Sequence, residues 1–251
     1  MELKGKVALV TGAAAPQGIG RAAAHRLAAA GARVLVSDQA GSMKLPDGRT
    51  ERMDLLEGLA SDIVALGGQA DAVELDVTDA EQIAEVAAMI RTQLGGLDIL
   101  VNNAGSTIGA GPFLQSIPAQ WETSFRVNLL GPTLLCQAFI PQMQAKGAGN
   151  IVNIGSIGSL GAEAGFGAYT AMKHGMVGLT KTLAAEFGPE GVRCNLVCPG
   201  YIATDMHEGA NLRIARESGQ PVEEVRIERY QAVAQRRAGT PAEVAEVICF
   251  L

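Results

Sequence analysis

An apolar strand, a glycine-rich loop and an alanine-rich helix follow one another between Lys6 and Ala30, and few folds accommodate that succession. Lys6-Val7-Ala8-Leu9-Val10 is apolar without alternation, which suits a strand covered on both faces. Thr11-Gly12-Ala13-Ala14-Ala15-Pro16-Gln17-Gly18-Ile19-Gly20 then supplies small residues, and Arg21 to Ala30 reads as a helix. Such a loop lets backbone amides approach a pyrophosphate, while the helix N-terminus adds about half a positive charge where phosphates bind. A ligand-free tight turn uses the same glycines, so the rest of the chain has to decide between the two.

Strand and helix keep alternating. Arg33 to Ser37 forms a second strand ending at Asp38, 18 residues after Gly20, where a carboxylate is expected to meet a ribose. Gln39 to Thr50, rich in Gly, Asp, Pro and Ser, reads as a long surface loop before a helix over Arg52 to Leu66. Ala70 to Leu75 gives a strand with Asp76-Val77 at its end, and Asp79 to Leu94 has helical apolar spacing. Leu97 to Val101 is a strand running into Asn102-Asn103-Ala104-Gly105, whose small residues permit close ligand approach. Gln120 to Lys146 is expected as one long helix, with Asn128 buried near its middle and Pro132 marking an irregularity. Val192 to Val197 is the last strand, closed by Cys198-Pro199-Gly200. This pattern predicts an α/β fold of one domain, residues 1–251, with a doubly wound parallel sheet. Ligands in such a sheet bind beyond the carboxyl ends of the strands, the edge on which the polar residues fall. Residues 203–237, dense in charge and poor in strand signal, read as a helical flap over the substrate. Thr240-Pro241-Ala242-Glu243 has the form of a capping box and opens a last helix.

The chemistry is carried between Asn150 and Lys173. Ile151-Val152-Asn153-Ile154 is broken by Gly155-Ser156-Ile157-Gly158-Ser159, which puts Ser156 at a strand end. Tyr169 follows Ser156 by 13 residues and precedes Lys173 by four, so within a helix phenol and ammonium share a face. A free phenol, with a pKa of about 10, is a poor base at neutral pH. Bringing it to about 7 takes roughly 4 kcal/mol, which a close, partly desolvated Lys173 ammonium and a further bound cation can supply. Ser156 is then placed to hydrogen-bond a reacting oxygen.

Composition narrows the partners. With 48% hydrophobic and 18% charged residues the chain suits a compact globule, and a net charge of −6 argues against nucleic acid or an anionic membrane. No apolar run reaches the length of a membrane span, and the N-terminal residues lead directly into a strand, so a cytoplasmic location is expected. Cys136, Cys194, Cys198 and Cys249 form no metal-ligand spacing, and no metal is expected.

Taken together, these residues resemble the short-chain dehydrogenase/reductase family from about Leu3 to the last residue. The resemblance implies a Rossmann-type domain, a nicotinamide cofactor, and a catalytic tetrad on Asn128, Ser156, Tyr169 and Lys173, with Asn128 orienting Lys173 through water. It places cofactor contacts on Gly12, Gln17, Gly18, Ile19, Gly20, Asp38, Asp76, Val77, Asn103, Ala104 and Gly105, on Tyr169 and Lys173, and on Pro199, Gly200, Ile202 and Thr204. It also implies a homo-oligomer, tetramer or dimer. Three departures stand out. Five residues rather than three separate Gly12 from Gly18, the Gln39 to Thr50 loop is longer than is usual, and no counterpart of the family's final strand and Gly-rich tail follows before Leu251. The resulting expectation is an NAD-dependent enzyme interconverting a secondary alcohol, such as a polyol or sugar, and its ketone. The rivals are a 3-oxoacyl-thioester reductase and a nicotinamide-sensing protein without turnover. NAD is expected over NADP because the extra phosphate would meet Asp38, with Gln17 and Gln39 offering no cation and Arg33 at the wrong strand end.

Overall fold

In the computed structural model, which describes residues 2–45 and 48–251, β1 (Val7–Thr11) is buried along its whole length. Its side chains divide between the two faces. Ala8 and Val10 pack into one core cluster, Val7 and Leu9 into another, which is why the strand reads as an unbroken apolar run. The further elements, in chain order, are α1 (Ile19–Ala29), β2 (Arg33–Asp38), β3 (Ser42–Leu45), β4 (Gly48–Glu51), α2 (Arg52–Ala65), β5 (Gln69–Glu74), α3 (Ala80–Leu94) and β6 (Ile99–Asn102). Then come α4 (Pro118–Phe125), α5 (Gly131–Lys146), β7 (Gly149–Ile154), α6 (Gly167–Phe187), β8 (Val192–Val197), α7 (Asp205–Ser218), α8 (Val222–Gln231) and α9 (Pro241–Phe250).

Six strands form one parallel sheet in the order β5-β2-β1-β6-β7-β8. Leaving out the hairpin, this is the doubly wound order in which the chain reverses direction between β1 and β6 and opens a crevice there. One face is covered by Leu27 of α1, Leu56, Leu59 and Ile63 of α2, and Val244 and Ile248 of α9. The other is covered by Ile83, Val86 and Ile90 of α3 and by Leu135, Phe139 and Met143 of α5. Caps fix several ends. The Asp79 carboxylate accepts from the Glu81 and Gln82 amides at the start of α3, and Thr240 and Glu243 complete the reciprocal capping box of α9.

Two expectations need correction. Residues 39–50 are not an irregular loop. Ser42–Leu45 and Gly48–Glu51 pair antiparallel as a hairpin whose tip, Pro46 and Asp47, lies outside the described residues. Pro46-Asp47-Gly48 is a turn signature in its own right, but the flanking runs are too short and polar to declare themselves as strands. Nor is 120–146 one regular helix: the irregularity expected at Pro132 is present, and it takes up a full turn before that residue. Arg126–Leu130 is a π turn closed by the Gly131 amide donating to Arg126 O, and Pro132, which lacks an N–H, follows directly. A Cβ at Gly131 would lie 2.8 Å from Val77 O, so glycine is what lets this segment close on the β5 end.

Candidate active site

The loop after β1 is built to bring backbone close to backbone. A Cβ at Gly12 would fall 2.7 Å from Ala104 Cα, and one at Gly20 would fall 2.6 Å from Asn103 Nδ2. Asn103 itself ties the two strand ends together, donating to Thr11 O at 2.8 Å and Gly12 O at 3.0 Å. The Thr11 hydroxyl accepts from the Asn103 and Ala104 amides, each at 3.1 Å. Gly18 caps α1 without any side chain, so the first amides of that helix have no side-chain acceptor, and Gly18 and Ile19 line the crevice. Close backbone approach beside an uncapped helix start fits a pyrophosphate.

A cavity of about 810 Å³ opens along this edge of the sheet. Its wall includes Gly12, Gly18, Ile19, Asp38, Asp76, Val77, Asn103, Ala104, Gly105, Ser156, Tyr169, Lys173, Pro199, Gly200, Ile202 and Thr204. The structure therefore gathers most of the sequence-predicted positions in one place, and the volume lies within the usual range for ligand sites, roughly 300 to 1,000 Å³. Three predicted residues stand off the wall. Gln17 is exposed, and its backbone amide donates to Asp205 Oδ2 at 3.2 Å. Gly20 is buried behind Asn103. Asn128 is fully buried, its Oδ1 accepting from the Ser106 amide at 3.1 Å and its Nδ2 donating to Ser106 O at 2.9 Å and Ser124 O at 3.1 Å. The Asn128 side chain is thus committed to holding the loop after Gly105, and it makes no direct hydrogen bond to Lys173.

Ser156 sits at the end of β7, where its hydroxyl accepts from the Gly158 amide and its own amide donates to Ser159 Oγ, both at 3.1 Å. The buried Ser159, which the sequence marked only as part of the break after the strand, thereby sets the turn that points Ser156 at the cavity. Lys173 is 5% exposed, donates to Ile154 O at 2.7 Å and lies 5.6 Å from the Tyr169 ring centroid. Burial lowers its pKa to about 8. Burial also raises the Tyr169 pKa, with the Ser156 hydroxyl beside it pulling the other way. The lowering of the phenol expected from Lys173 is absent in the protein alone, where desolvation dominates and Ser156 is the group that opposes it.

The outer wall is formed by the charged segment after β8. Tyr201, His207 and Tyr230 stack, with centroids 5.3 Å apart for the first pair and 5.8 Å for the second, and His207 Nε2 meets the Tyr230 hydroxyl at 3.1 Å. Burial, reinforced by the Arg229 cation, lowers the His207 pKa to about 4, so its ring is neutral at physiological pH. Arg229 covers Tyr201 at 4.4 Å and pairs with Glu163 at 3.3 Å across the cavity mouth. This group escaped the sequence reading because its members lie far apart in the chain. The available signal was rarity, since Tyr201 and Tyr230 are two of only three tyrosines.

A crevice at the strand ends lined by Ser156, Tyr169 and Lys173 together with the glycine loop fits an oxidoreductase, and the chain belongs to the short-chain dehydrogenase family, whose sequence model matches residues 6–214. The 3-oxoacyl-(acyl-carrier-protein) reductase FabG of Thermotoga maritima is 35% identical over 251 residues, spanning 100% of this chain and 92% of that protein. Among solved structures, NAD+-bound xylitol dehydrogenase superposes with a TM-score of 0.90 at 27% identity, covering 100% and 93% of the two chains. An actinorhodin polyketide ketoreductase variant with NADPH gives 0.88 at 31% identity, covering 98% and 89%.

Proposed function

We propose that the protein is an NAD-preferring dehydrogenase that interconverts a secondary alcohol of polyol or sugar type and its ketone. One observation carries this reading: Ser156, Tyr169 and the buried Lys173 share a single cavity with the glycine loop and Asp38. When bound there, the nicotinamide supplies or accepts the hydride. Its phosphates fit the Gly12 and Gly18 approach, and its adenosine ribose fits Asp38, whose carboxylate already accepts from the Ala14 amide at 3.2 Å and the Gln39 amide at 2.9 Å.

The side chains divide the remaining work. Ser156 donates its hydroxyl to the substrate oxygen and holds it beside the phenol. Tyr169 gives that oxygen a proton in reduction, for which its raised pKa keeps it protonated, and takes the proton back in oxidation. Lys173, anchored on Ile154 O, is placed to bind the nicotinamide ribose and to tune the phenol electrostatically. Asn128 contributes by bracing Ser106 and so the Asn103-Ala104-Gly105 wall. Residues 203–237 act as a flap, latched by Arg229 on Glu163.

The polyol assignment rests on the polar outer wall, where Tyr201 and neutral His207, its Nε2 held by the Tyr230 hydroxyl, line the cavity, and on the likeness to a xylitol dehydrogenase. Four unpaired cysteines fit a reducing, cytoplasmic setting, and among the described residues no helix is long and apolar enough to cross a membrane. Exposed Phe113, Leu114 and Phe250 offer apolar surface on which a homo-oligomer would close, which sedimentation at micromolar concentration checks. The test of the activity is NAD reduction against a panel of polyols, sugars and simple secondary alcohols, run beside reduction of 3-oxoacyl thioesters. Turnover confined to the thioesters would transfer the assignment to an acyl reductase, and turnover with neither would favour a sensor.

A further inference from the structure

The hairpin of β3 and β4 delivers Arg52 to the ribose end of the cavity. Arg52 opens α2 directly after β4, its amide donates to Gly41 O at 2.9 Å, and its Nη1 reaches Asp38 Oδ1 at 3.2 Å. Both side chains line the cavity and both are largely covered, at 21% and 13% exposure. A cation at the first position of a helix opposes the helix dipole, so helix stability does not account for it. The charged groups around this end are Arg52, Asp38 and Asp76, and the Asp76 carboxylate is occupied by the Thr78 amide and hydroxyl, each at 2.8 Å. Arg52 is thus the cation in direct contact with the carboxylate that would read a ribose. A bare carboxylate there would repel a ribose phosphate of about two negative charges, whereas a carboxylate paired with a planar guanidinium presents the phosphate with an alternative, bidentate partner.

We propose that Arg52 is a specificity-determining residue for the dinucleotide: by pairing with Asp38 it blunts the exclusion of NADP, so that the protein binds NADP as well as NAD with only a narrow preference. This rests on the reading of the cavity as a dinucleotide site, and direct binding separates the two. NADH and NADPH are titrated into the wild-type protein and its variants, with affinity read from nucleotide fluorescence or calorimetry. The wild-type preference for NADH should be about tenfold or less, well under the roughly 30- to 150-fold of an unpaired carboxylate. Arg52→Leu should widen that preference at least about tenfold through loss of NADPH affinity, and Asp38→Asn should reverse it in favour of NADPH by a similar factor. The double variant should lose the NADPH gain of Asp38→Asn. Arg52→Gln, which keeps a hydrogen-bond donor without charge, should behave as Arg52→Leu and replaces it if the leucine variant melts early. An affinity ratio unmoved within about twofold in whichever of the two charge-removing variants remains folded overturns the role of Arg52. Failure of the wild type to bind either nucleotide overturns the dinucleotide site itself.

Discussion

Lys173 shows how the catalytic chemistry is tied to stability. Its pKa, lowered by burial to about 8 from the usual 10.5, means that between those values the unfolded chain is protonated at this residue and the folded chain is not. Unfolding then takes up a proton, so this residue makes the protein more stable as pH rises through that window, and its buried charge costs the full amount below it. Lys173→Met removes the effect. In urea melts from pH 7 to 10, the stability of the wild type minus that of the variant should rise above pH 8, by at most about 1.4 kcal/mol per pH unit. Parallel curves would mean that Lys173 titrates normally. At this scale the sequence was legible where one element sets the spacing, as with Tyr169 and Lys173 on α6. At Gln17, which motif position assigned to the cofactor, the side chain is exposed and the backbone amide is paired with Asp205. The sequence was silent on Arg52, whose link to Asp38 spans 14 residues and depends on a hairpin that composition disguised as a loop.

Among the elements, those with strong periodicity could be read and those organised by long-range contacts could not. The Asp79 to Leu94 helix was legible because its apolar positions and its cap are local. The π turn at Arg126–Leu130 was not, since it depends on seating Asn128 against Ser106 and Gly131 against Val77. The flap is an intermediate case. Its dense charge marked it as a flap but did not show how the charges pair: Arg226 pairs with Glu208 and Glu223, and Arg229 pairs with Glu163 on the opposite wall. A latch of this kind, at 3.3 Å and partly exposed, is worth about 1 kcal/mol or less, weak enough to open. Backbone amides of α7 and α8 should therefore exchange with solvent more slowly when NADH and a substrate analogue are both bound than with NADH alone. Equal exchange in the two complexes would remove the lid role from this segment.

Across the whole molecule, the alternation of strand and helix made the doubly wound sheet predictable, because parallel strands covered on both faces must be apolar throughout and must be joined by helices. That topology also explains why residues as distant as Gly12, Asn103, Ser156 and Gly200 meet in one cavity, since each follows the carboxyl end of a strand. Substrate identity was not legible, because the outer wall is made by Glu163, Tyr201, His207 and Arg229, which no periodicity connects. The claim on which the account turns is that this cavity moves a hydride and a proton together, with Tyr169 handling the proton. The most direct test is to compare Tyr169→Phe with the wild type on the best alcohol or ketone found in the panel, measuring kcat and, separately, the affinity for NADH. The account predicts a loss in kcat of at least about a hundredfold with NADH affinity within about threefold of wild type. Near-normal turnover in Tyr169→Phe would contradict it.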